Sequence, residues 1–220
     1  MKIGIIGTGH MGSALAHRFT DLGHDVAVAN SRGPQTLTDL ATQTGAHPAG
    51  IDDVARGAEI VVVAMPERRV PELPATVLDE ASPDVIVIDL GNYYPQQRDG
   101  RIDEIEQGTT ESRWVERQIG HPVVKVFNTI PAAHLRGSGR SAGDPRRLAL
   151  PVSADDAKAK QVVSRLVDDL GFDPVDDGGL DDSWRQQPGQ PVYGEVGDAD
   201  HVRAALLAAT ERRPATFSAS

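Results

Sequence analysis

The 220-residue sequence contains no cysteine. This absence excludes disulfide bonds, thiolate nucleophiles and cysteine-ligated zinc or iron–sulfur sites. Histidine, aspartate and glutamate remain as candidate metal ligands, but no cluster of them has the spacing of a metal site, so we predict no bound metal. Aromatic residues make up only 4 % of the chain, so a local group of them is informative.

The sequence also lacks long apolar runs and an excess of basic charge. No run approaches the roughly 18 apolar residues of a membrane-spanning helix, and the apolar run at 1–7 is too short for the core of a signal peptide. Lys and Arg total 22 against 32 for Asp and Glu, a net charge of −10, which disfavours nucleic acid and anionic membranes as partners. We therefore expect a soluble, cytoplasmic protein.

Short apolar runs rich in Val and Ile predict the strands of a sheet. They alternate with stretches that have the apolar spacing of helices. The runs are apolar on both faces, as in parallel strands that are covered by helices on both sides. This rhythm predicts an α/β fold with a mostly parallel sheet. The predicted strands are 2–7, 25–30, 59–65, 85–90, 123–128 and 147–152.

The length of the chain favours one domain with an appendage over two full domains. We assign residues 1–152 to the core and residues 153–220 to a C-terminal extension packed on the same domain. The extension is predicted to contain a helix, a strand, an arm rich in Trp and Pro, and a final helix at 199–212. Gly23 and Gly171 each follow an apolar helical stripe and are predicted to end those helices.

A glycine-rich run lies between the first predicted strand and the first predicted helix. It has the pattern G-x-G-x-x-G and comprises Gly7, Thr8, Gly9, His10, Met11 and Gly12. In this place Gly7 can make a tight turn, Gly9 can let the backbone approach a pyrophosphate, and Gly12 can let helix and strand pack closely. The free amides at the helix start would face the diphosphate. The run therefore predicts a dinucleotide-binding core, with a ligand-free turn as the less favoured alternative.

The end of the second predicted strand indicates which dinucleotide is bound. An NAD enzyme usually presents Asp or Glu here to the ribose hydroxyls. This chain has Asn30, Ser31 and Arg32, with no carboxylate to repel a 2′-phosphate. A serine hydroxyl and a permanent guanidinium suit a phosphate group. The pattern favours NADP(H) over NAD(H), and the alternative is an ordinary exposed arginine in a loop.

Five stretches along the chain carry a resemblance to a known family: GTGHMG, NSRGP, VVKVFNT, LPVSADDAKAK and LGFDPVDDGGLDDSWRQQPGQPVY. Together they span almost the whole chain and resemble the coenzyme F420-dependent NADP oxidoreductases and their bacterial homologues. The resemblance implies a Rossmann-like, doubly wound domain with a small C-terminal extension, on which a reduced deazaflavin stacks against the nicotinamide of NADP(H). It also implies that three residues join the glycines around the diphosphate, namely Thr8, His10 and Met11. In the same way it implies that Ser31 and Arg32 bind the 2′-phosphate.

Hydride transfer between two ring cofactors depends mainly on holding the reacting carbons together, so we assign no catalytic acid–base residue. The loops after parallel strands supply such a site. Met65 and Pro66 are candidates there, as are the amides of Asn92 and Asn128, which suit a carboxamide or a ring edge but can equally cap a turn. Lys125 lies inside an apolar run and is interpreted as a paired residue rather than a catalytic lysine.

Two irregular segments, 91–108 and 176–198, interrupt the rhythm of strands and helices, and long irregular segments in compact domains often carry function. Trp184 and Tyr193 lie in the second segment. They can form a wall for a flat substrate, or they belong to an arm packed on the sheet or on a partner subunit. The apolar residues beyond a minimal dinucleotide fold predict a homodimer.

The leading functional hypothesis is an NADPH-dependent oxidoreductase that exchanges a hydride between NADP(H) and F420 or a flavin. The second hypothesis replaces the ring partner by a small carbonyl or imine substrate, although such reductases usually carry a helical dimerisation domain. The third is a non-catalytic NADPH sensor, since a fingerprint reports binding and not turnover. A panel of electron acceptors tested with NADPH separates the three hypotheses.

Overall fold

The computed structural model describes residues 1–219, so Ser220 of the predicted extension lies outside the described residues. The central sheet consists of β1 (Lys2–Ile6), β2 (Asp25–Ala29), β3 (His47–Pro48), β4 (Ile60–Val63), β5 (Ile86–Asp89) and β6 (Val123–Lys125). All of its pairings are parallel, and the spatial order is β3-β2-β1-β4-β5-β6. The order reverses between β1 and β4, which is the arrangement of a Rossmann-like sheet. The predicted α/β fold class is confirmed.

Helices cover both faces of this sheet. The α-helices of residues 1–219 are α1 (His10–Asp21), α2 (Thr38–Thr44), α3 (Asp103–Glu106), α4 (Glu111–Ile119), α5 (Ala132–Gly137), α6 (Ala157–Asp169) and α7 (Ala199–Leu207). The last of them, α7, packs away from this sheet, against Ala149 and Val175. Ile60 and Val62 of β4 pack into the core that contains side chains of α1, α5 and α6. Val61 and Val63 pack on the opposite face. A strand buried on both faces needs this continuous apolar run, which explains why it does not alternate with polar residues.

The predicted strand at 147–152 lies outside the central sheet. It forms β7 (Ala149–Val152), which pairs in parallel with β8 (Asp173–Asp176) in a second, two-stranded sheet. The two strands and α6 between them make one local β-α-β unit, whose strands pair with each other because the crossover is short. An antiparallel bridge between Lys125 and Ser153 links this unit to the central sheet.

The predicted helix ends are mostly in place. Gly23 and Gly171 follow α1 and α6 with φ of +79° and +89°, the left-handed conformation that ends a helix, so both predictions are confirmed. The last helix is shorter than predicted, because the backbone of Thr210 leaves the helix and bonds to the side chain of Gln190 through Oε1 at 3.1 Å and Nε2 at 2.7 Å.

The two irregular segments contain short turns of their own. The first includes a π-helical turn at Pro95–Asp99, and the second a 3₁₀ turn at Leu180–Gln186. Further 3₁₀ turns lie at Pro34–Leu37, Glu67–Glu72 and Ala215–Phe217. Across residues 1–219, every helix is too short or too polar to cross a membrane.

Candidate functional site

The three glycines of the fingerprint have different surroundings. Gly7 has φ +101°, and a Cβ added there would lie 2.2 Å from the carbonyl oxygen of Ala64. A Cβ at Gly12 would lie 1.9 Å from the carbonyl oxygen of Gly7, so the packing of α1 on β1 requires glycine. A Cβ at Gly9 would meet no atom within 4 Å. The missing side chain of Gly9 therefore faces open space at the start of α1, which fits a ligand approaching the backbone.

A cavity of about 640 Å³ opens over this turn, where the strand order reverses. Its walls come from the loops after β1, β2 and β4. The predicted cofactor residues that line it are Gly7, Thr8, Gly9, Asn30, Ser31, Arg32, Met65 and Pro66. Sequence reasoning missed the remaining lining residues, which are Ile6, Gly33, Ile51, Ala64, Arg69, Glu72, Leu73 and Pro74. An open space of this size and position can hold a dinucleotide.

Two arginines line this cavity, Arg32 and Arg69. Arg32 is exposed on the loop after β2. Arg69 lies in the 3₁₀ turn Glu67–Glu72, and its Nε is 2.7 Å from Glu72 Oε2. Because Glu72 also lines the cavity and offsets the charge of Arg69, Arg32 is the cation that suits the cavity to an anionic ligand in a chain of net charge −10.

Asn30 links the two cavity loops that follow β1 and β2. Its side-chain Oδ1 accepts a hydrogen bond from the Arg32 backbone amide at 2.9 Å. Its Nδ2 donates to Thr36 Oγ1 at 3.0 Å and to Thr8 Oγ1 at 3.4 Å. This asparagine therefore fixes the loop that presents Ser31 and Arg32 relative to the glycine-rich turn, without needing direct contact with a ligand.

The other members of the fingerprint do not line the cavity. His10 is exposed on the first turn of α1, whereas Met11 is half-buried and packs against the core. Gly12 is a buried residue of α1 on the side that packs against Gly7 and Ala64. The contacts of Met11 and Gly12 are those of packing residues, and His10 is placed to offer its backbone amide at the helix start.

Asn92 and Asn128 come together at the carboxyl ends of β5 and β6. Asn128 Nδ2 donates to Asn92 Oδ1 at 3.2 Å and to the Gln186 carbonyl oxygen at 2.8 Å, and Asn92 Nδ2 donates to the Asn128 carbonyl oxygen at 3.3 Å. The buried Oδ1 of Asn128 has no hydrogen-bond partner within residues 1–219. The pair joins the core to the second irregular segment and leaves one acceptor free.

The structure separates Trp184 from Tyr193. Trp184 lines a second cavity of about 770 Å³, away from the glycine-rich turn, together with Thr110, Arg113 and Gln187. The hydroxyl of Tyr193 contacts the hydroxyl of Tyr94, and burial raises the pKa of Tyr193 above its ordinary value. Neither aromatic ring lines the 640 Å³ cavity. A single wall made of both rings is therefore not formed.

A buried ion pair lies below the ends of β5 and β6. Lys125 Nζ is 3.0 Å from Asp89 Oδ2 and donates to the Gly91 carbonyl oxygen at 2.6 Å, which confirms the interpretation of Lys125 as a paired residue. Burial alone would lower the pKa of Lys125, but the neighbouring carboxylates, Asp89 first, raise it. Asp89 Oδ2 also accepts from Ser112 Oγ at 2.7 Å. Residues 1–219 contain no group of three or more His, Asp or Glu side chains arranged to hold a metal ion.

Residues 2–93 match the family model of the coenzyme F420-dependent NADP oxidoreductases. The chain is 31 % identical to the hypothetical protein SMa0349 from Sinorhizobium meliloti, whose structure superposes with a TM-score of 0.78 over 90 % of this chain and 95 % of that one. The chain belongs to the F420-dependent NADP oxidoreductase family. A protein of Arthrobacter sp. FB24, provisionally described as an F420-dependent NADP reductase, is 29 % identical, with a TM-score of 0.68 over 81 % of this chain and 85 % of that one.

More distant matches are with longer proteins. The metalloreductase STEAP3 of Rattus norvegicus is 27 % identical over 180 residues, which cover 81 % of this chain and 34 % of STEAP3. The chain spans about a third of the length of the curated relatives that it matches. The family to which this chain belongs is one of NADP oxidoreductases, and the chain has the Rossmann-like fold.

Proposed function

We propose that this chain is an NADPH-dependent oxidoreductase that exchanges a hydride between NADP(H) and a deazaflavin such as F420, or a flavin. The observation that carries the proposal is the cavity at the reversal of strand order. It joins the open side of Gly9 to Arg32 on one side and to Met65 and Pro66 on the other. Membership of an NADP oxidoreductase family supports this reading.

The residues present fit NADP(H) along the whole cavity. The amides of Gly9 and His10 at the start of α1 would hold the diphosphate, with Thr8 at its side. Ser31 and Arg32 would bind the 2′-phosphate, on a loop that Asn30 already holds in place. Met65 and Pro66 would pack against the nicotinamide end. NADPH supplies the hydride, and the chain supplies binding and orientation.

The acceptor ring would lie beyond the ends of β5 and β6, close to Asn92, Asn128 and Tyr193. The free Oδ1 of Asn128 suits a hydrogen-bond donor on a ring edge or a carboxamide. The family description and the Arthrobacter relative favour F420 as this ring. Trp184 lines the other cavity, so we leave it out of the proposed acceptor site.

The cofactor part of the proposal is tested by titrating NADPH and NADH into wild type and Arg32→Ala. Losing a charge-assisted phosphate contact costs about 1.5–3 kcal/mol, or about ten- to a hundredfold in affinity. We expect this loss for NADPH and little change for NADH. Arg203→Ala, an exposed arginine on α7, is the matched control and should bind like wild type. Equal affinity of wild type for the two cofactors would contradict the NADP assignment.

The acceptor is tested by following NADPH oxidation with F420, FMN, FAD, a cyclic imine and an aldehyde. Oxidation with F420 or a flavin supports the proposal. Oxidation with the imine or the aldehyde alone would make the chain a small-substrate reductase. Tight NADPH binding without turnover by any acceptor would favour a sensor.

A further inference from the structure

Glu67 is a buried acid that the proposed function does not use. It begins the turn Glu67–Glu72, directly after Met65 and Pro66 in the cavity wall. Its side chain is 0 % exposed, and neither carboxyl oxygen has a hydrogen-bond partner within residues 1–219. The carboxyl packs against Gly91, where an added Cβ would lie 2.5 Å from Glu67 Oε1 and 3.0 Å from Asp89 Oδ1. The acid therefore lies between the carboxyl ends of β4 and β5.

The charged groups around Glu67 form ion pairs with one another, and Glu67 is not a member of these pairs. The elements packed against it contribute three other buried carboxylates, each with its own cation. Asp89 on β5 pairs with Lys125 on β6 at 3.0 Å, Glu111 on α4 with Arg213 at 2.8 Å, and Asp99 of the π-helical turn with Arg98 at 3.0 Å. Elsewhere on α4, Arg113 pairs with Asp155, Asp181 and Glu116, and Arg117 pairs with Glu104. On the turn itself, Arg69 pairs with Glu72, whereas Arg68 is exposed to solvent. Of these four buried carboxyls, Glu67 is the one without an ion pair within residues 1–219.

The lack of an ion-pair partner decides which protonation state of Glu67 is favoured. A charged carboxylate without an ion-pair partner is strongly disfavoured in a buried site, because burial removes its hydration and no counter-charge compensates for the loss. Burial, followed by the neighbouring Asp89 carboxylate, raises the pKa of Glu67 well above its ordinary value, and Lys125 offsets only part of this. These surroundings favour the protonated form of Glu67 in the cofactor-free protein, behind the Met65–Pro66 wall.

In a Rossmann-like sheet, the nicotinamide half of the dinucleotide lies over the ends of the second group of strands, here β4 to β6. The ring is uncharged in NADPH and positively charged in NADP⁺. We propose that Glu67 couples a proton to the oxidation state of the cofactor: it stays neutral beside NADPH, and it ionises beside NADP⁺ and releases one proton to solvent. No electron moves in this step, and the carboxylate that remains balances the ring charge. The inference rests on the proposed function, since it needs NADP(H) in this cavity.

Proton release makes binding depend on pH. If one proton leaves with NADP⁺ binding, the affinity for NADP⁺ rises about tenfold per pH unit while Glu67 is protonated in the free protein. The affinity for NADPH lacks this dependence. The 2′-phosphate titrates in both cofactors, so the difference between NADP⁺ and NADPH isolates the nicotinamide end.

The test is calorimetric titration of the wild-type protein near neutral pH in two buffers of different ionisation enthalpy, which counts the protons released. We expect about one proton more with NADP⁺ than with NADPH. Equal proton counts for the two cofactors would overturn the proposal about Glu67. Failure of both cofactors to bind would instead contradict the proposed function.

Glu67→Gln then assigns the proton, because glutamine keeps the shape and stays neutral. We expect NADP⁺ to bind about tenfold more weakly, NADPH to bind within about twofold of wild type, and the extra proton to disappear. Glu59 is an exposed acid that directly precedes β4, at the end of the strand away from Glu67. Glu59→Gln is therefore the matched control and should keep the extra proton. Retention of that proton in Glu67→Gln would overturn the assignment. If Glu67→Gln does not fold, infrared difference spectra of wild type replace it: the protonated carboxyl band should be lost with NADP⁺ and kept with NADPH, and its retention in both would overturn the proposal.

Discussion

Replacing Gly9 and Gly12 one at a time distinguishes a ligand-binding glycine from a packing glycine. Gly9 has φ −70° and ψ −167°, a conformation open to any residue, and its added Cβ meets no atom within 4 Å. We therefore expect Gly9→Ala to cost about 1 kcal/mol of folding stability, since alanine is a poorer helix N-cap than glycine. At Gly12 the added Cβ would lie 1.9 Å from the Gly7 carbonyl oxygen, so helix and strand must separate, at a cost of about 1–3 kcal/mol.

Gly12→Ala should mainly lower the melting temperature, whereas Gly9→Ala should mainly lower the affinity for NADPH. For a chain of this size, 1 kcal/mol lowers Tm by about 2–4 °C, so Gly12→Ala should melt up to about 12 °C below wild type without cofactor. Gly9→Ala should melt close to wild type but bind NADPH about ten- to a hundredfold more weakly, because a methyl group keeps the diphosphate from the helix amides. Calorimetric titration measures this loss. Wild-type NADPH affinity in Gly9→Ala would refute the reasoning.

Four further predictions follow from the charge, the hydrogen bonds and the composition. Burial raises the pKa of Asp177 from 3.8 to about 6, so the folded protein binds this proton more tightly than the unfolded chain does. The free energy of unfolding should therefore be highest at low pH and fall by about 2–3 kcal/mol as the pH rises from about 4 to about 6. Denaturant unfolding should show this slope in wild type and not in Asp177→Asn. Lys125→Met leaves the Asp89 carboxylate buried without its cation and should lower the free energy of unfolding by about 3–5 kcal/mol. Part of this loss should be recovered in the double variant Lys125→Met/Asp89→Asn, and an unchanged urea midpoint in the single variant would contradict the pairing. Asn128→Ala should raise the KM for the acceptor or lower turnover, with NADPH affinity little changed, whereas an equal loss of NADPH affinity would place Asn128 in the nicotinamide pocket or the fold. The homodimer predicted from the sequence should appear in light scattering at micromolar concentration, where a monomer would refute it.

The parallel sheet was predictable because its strands are buried on both faces. The run around Ile60 to Val63 is apolar throughout, and this pattern alone indicates a covered strand. The fingerprint glycines were predictable for a related reason, since a tight turn and a close helix contact each permit only glycine. Local constraints of this kind leave a direct mark on the sequence.

Contacts between residues that are far apart in the chain are harder to predict from the sequence. The strand Asp173–Asp176 contains a proline and two aspartates, so nothing in its composition identifies it as the partner of β7. The cluster around Glu67 was equally hidden, because a carboxylate in a sequence does not reveal whether a cation will lie beside it. Trp184 and Tyr193 lie close together in the chain, but the 3₁₀ turn at Leu180–Gln186 directs them to different surroundings.

The contact between Gly91 and Glu67 also constrains how related sequences can vary. A side chain at position 91 would occupy the space that the buried carboxyl fills, 2.5 Å from Glu67 Oε1. The two positions are therefore expected to change together: a relative with alanine at position 91 should carry a shorter or differently directed residue at position 67. Such a relative would lose the buried acid together with the glycine, and its cofactor affinities should no longer depend on pH in the way predicted for this chain.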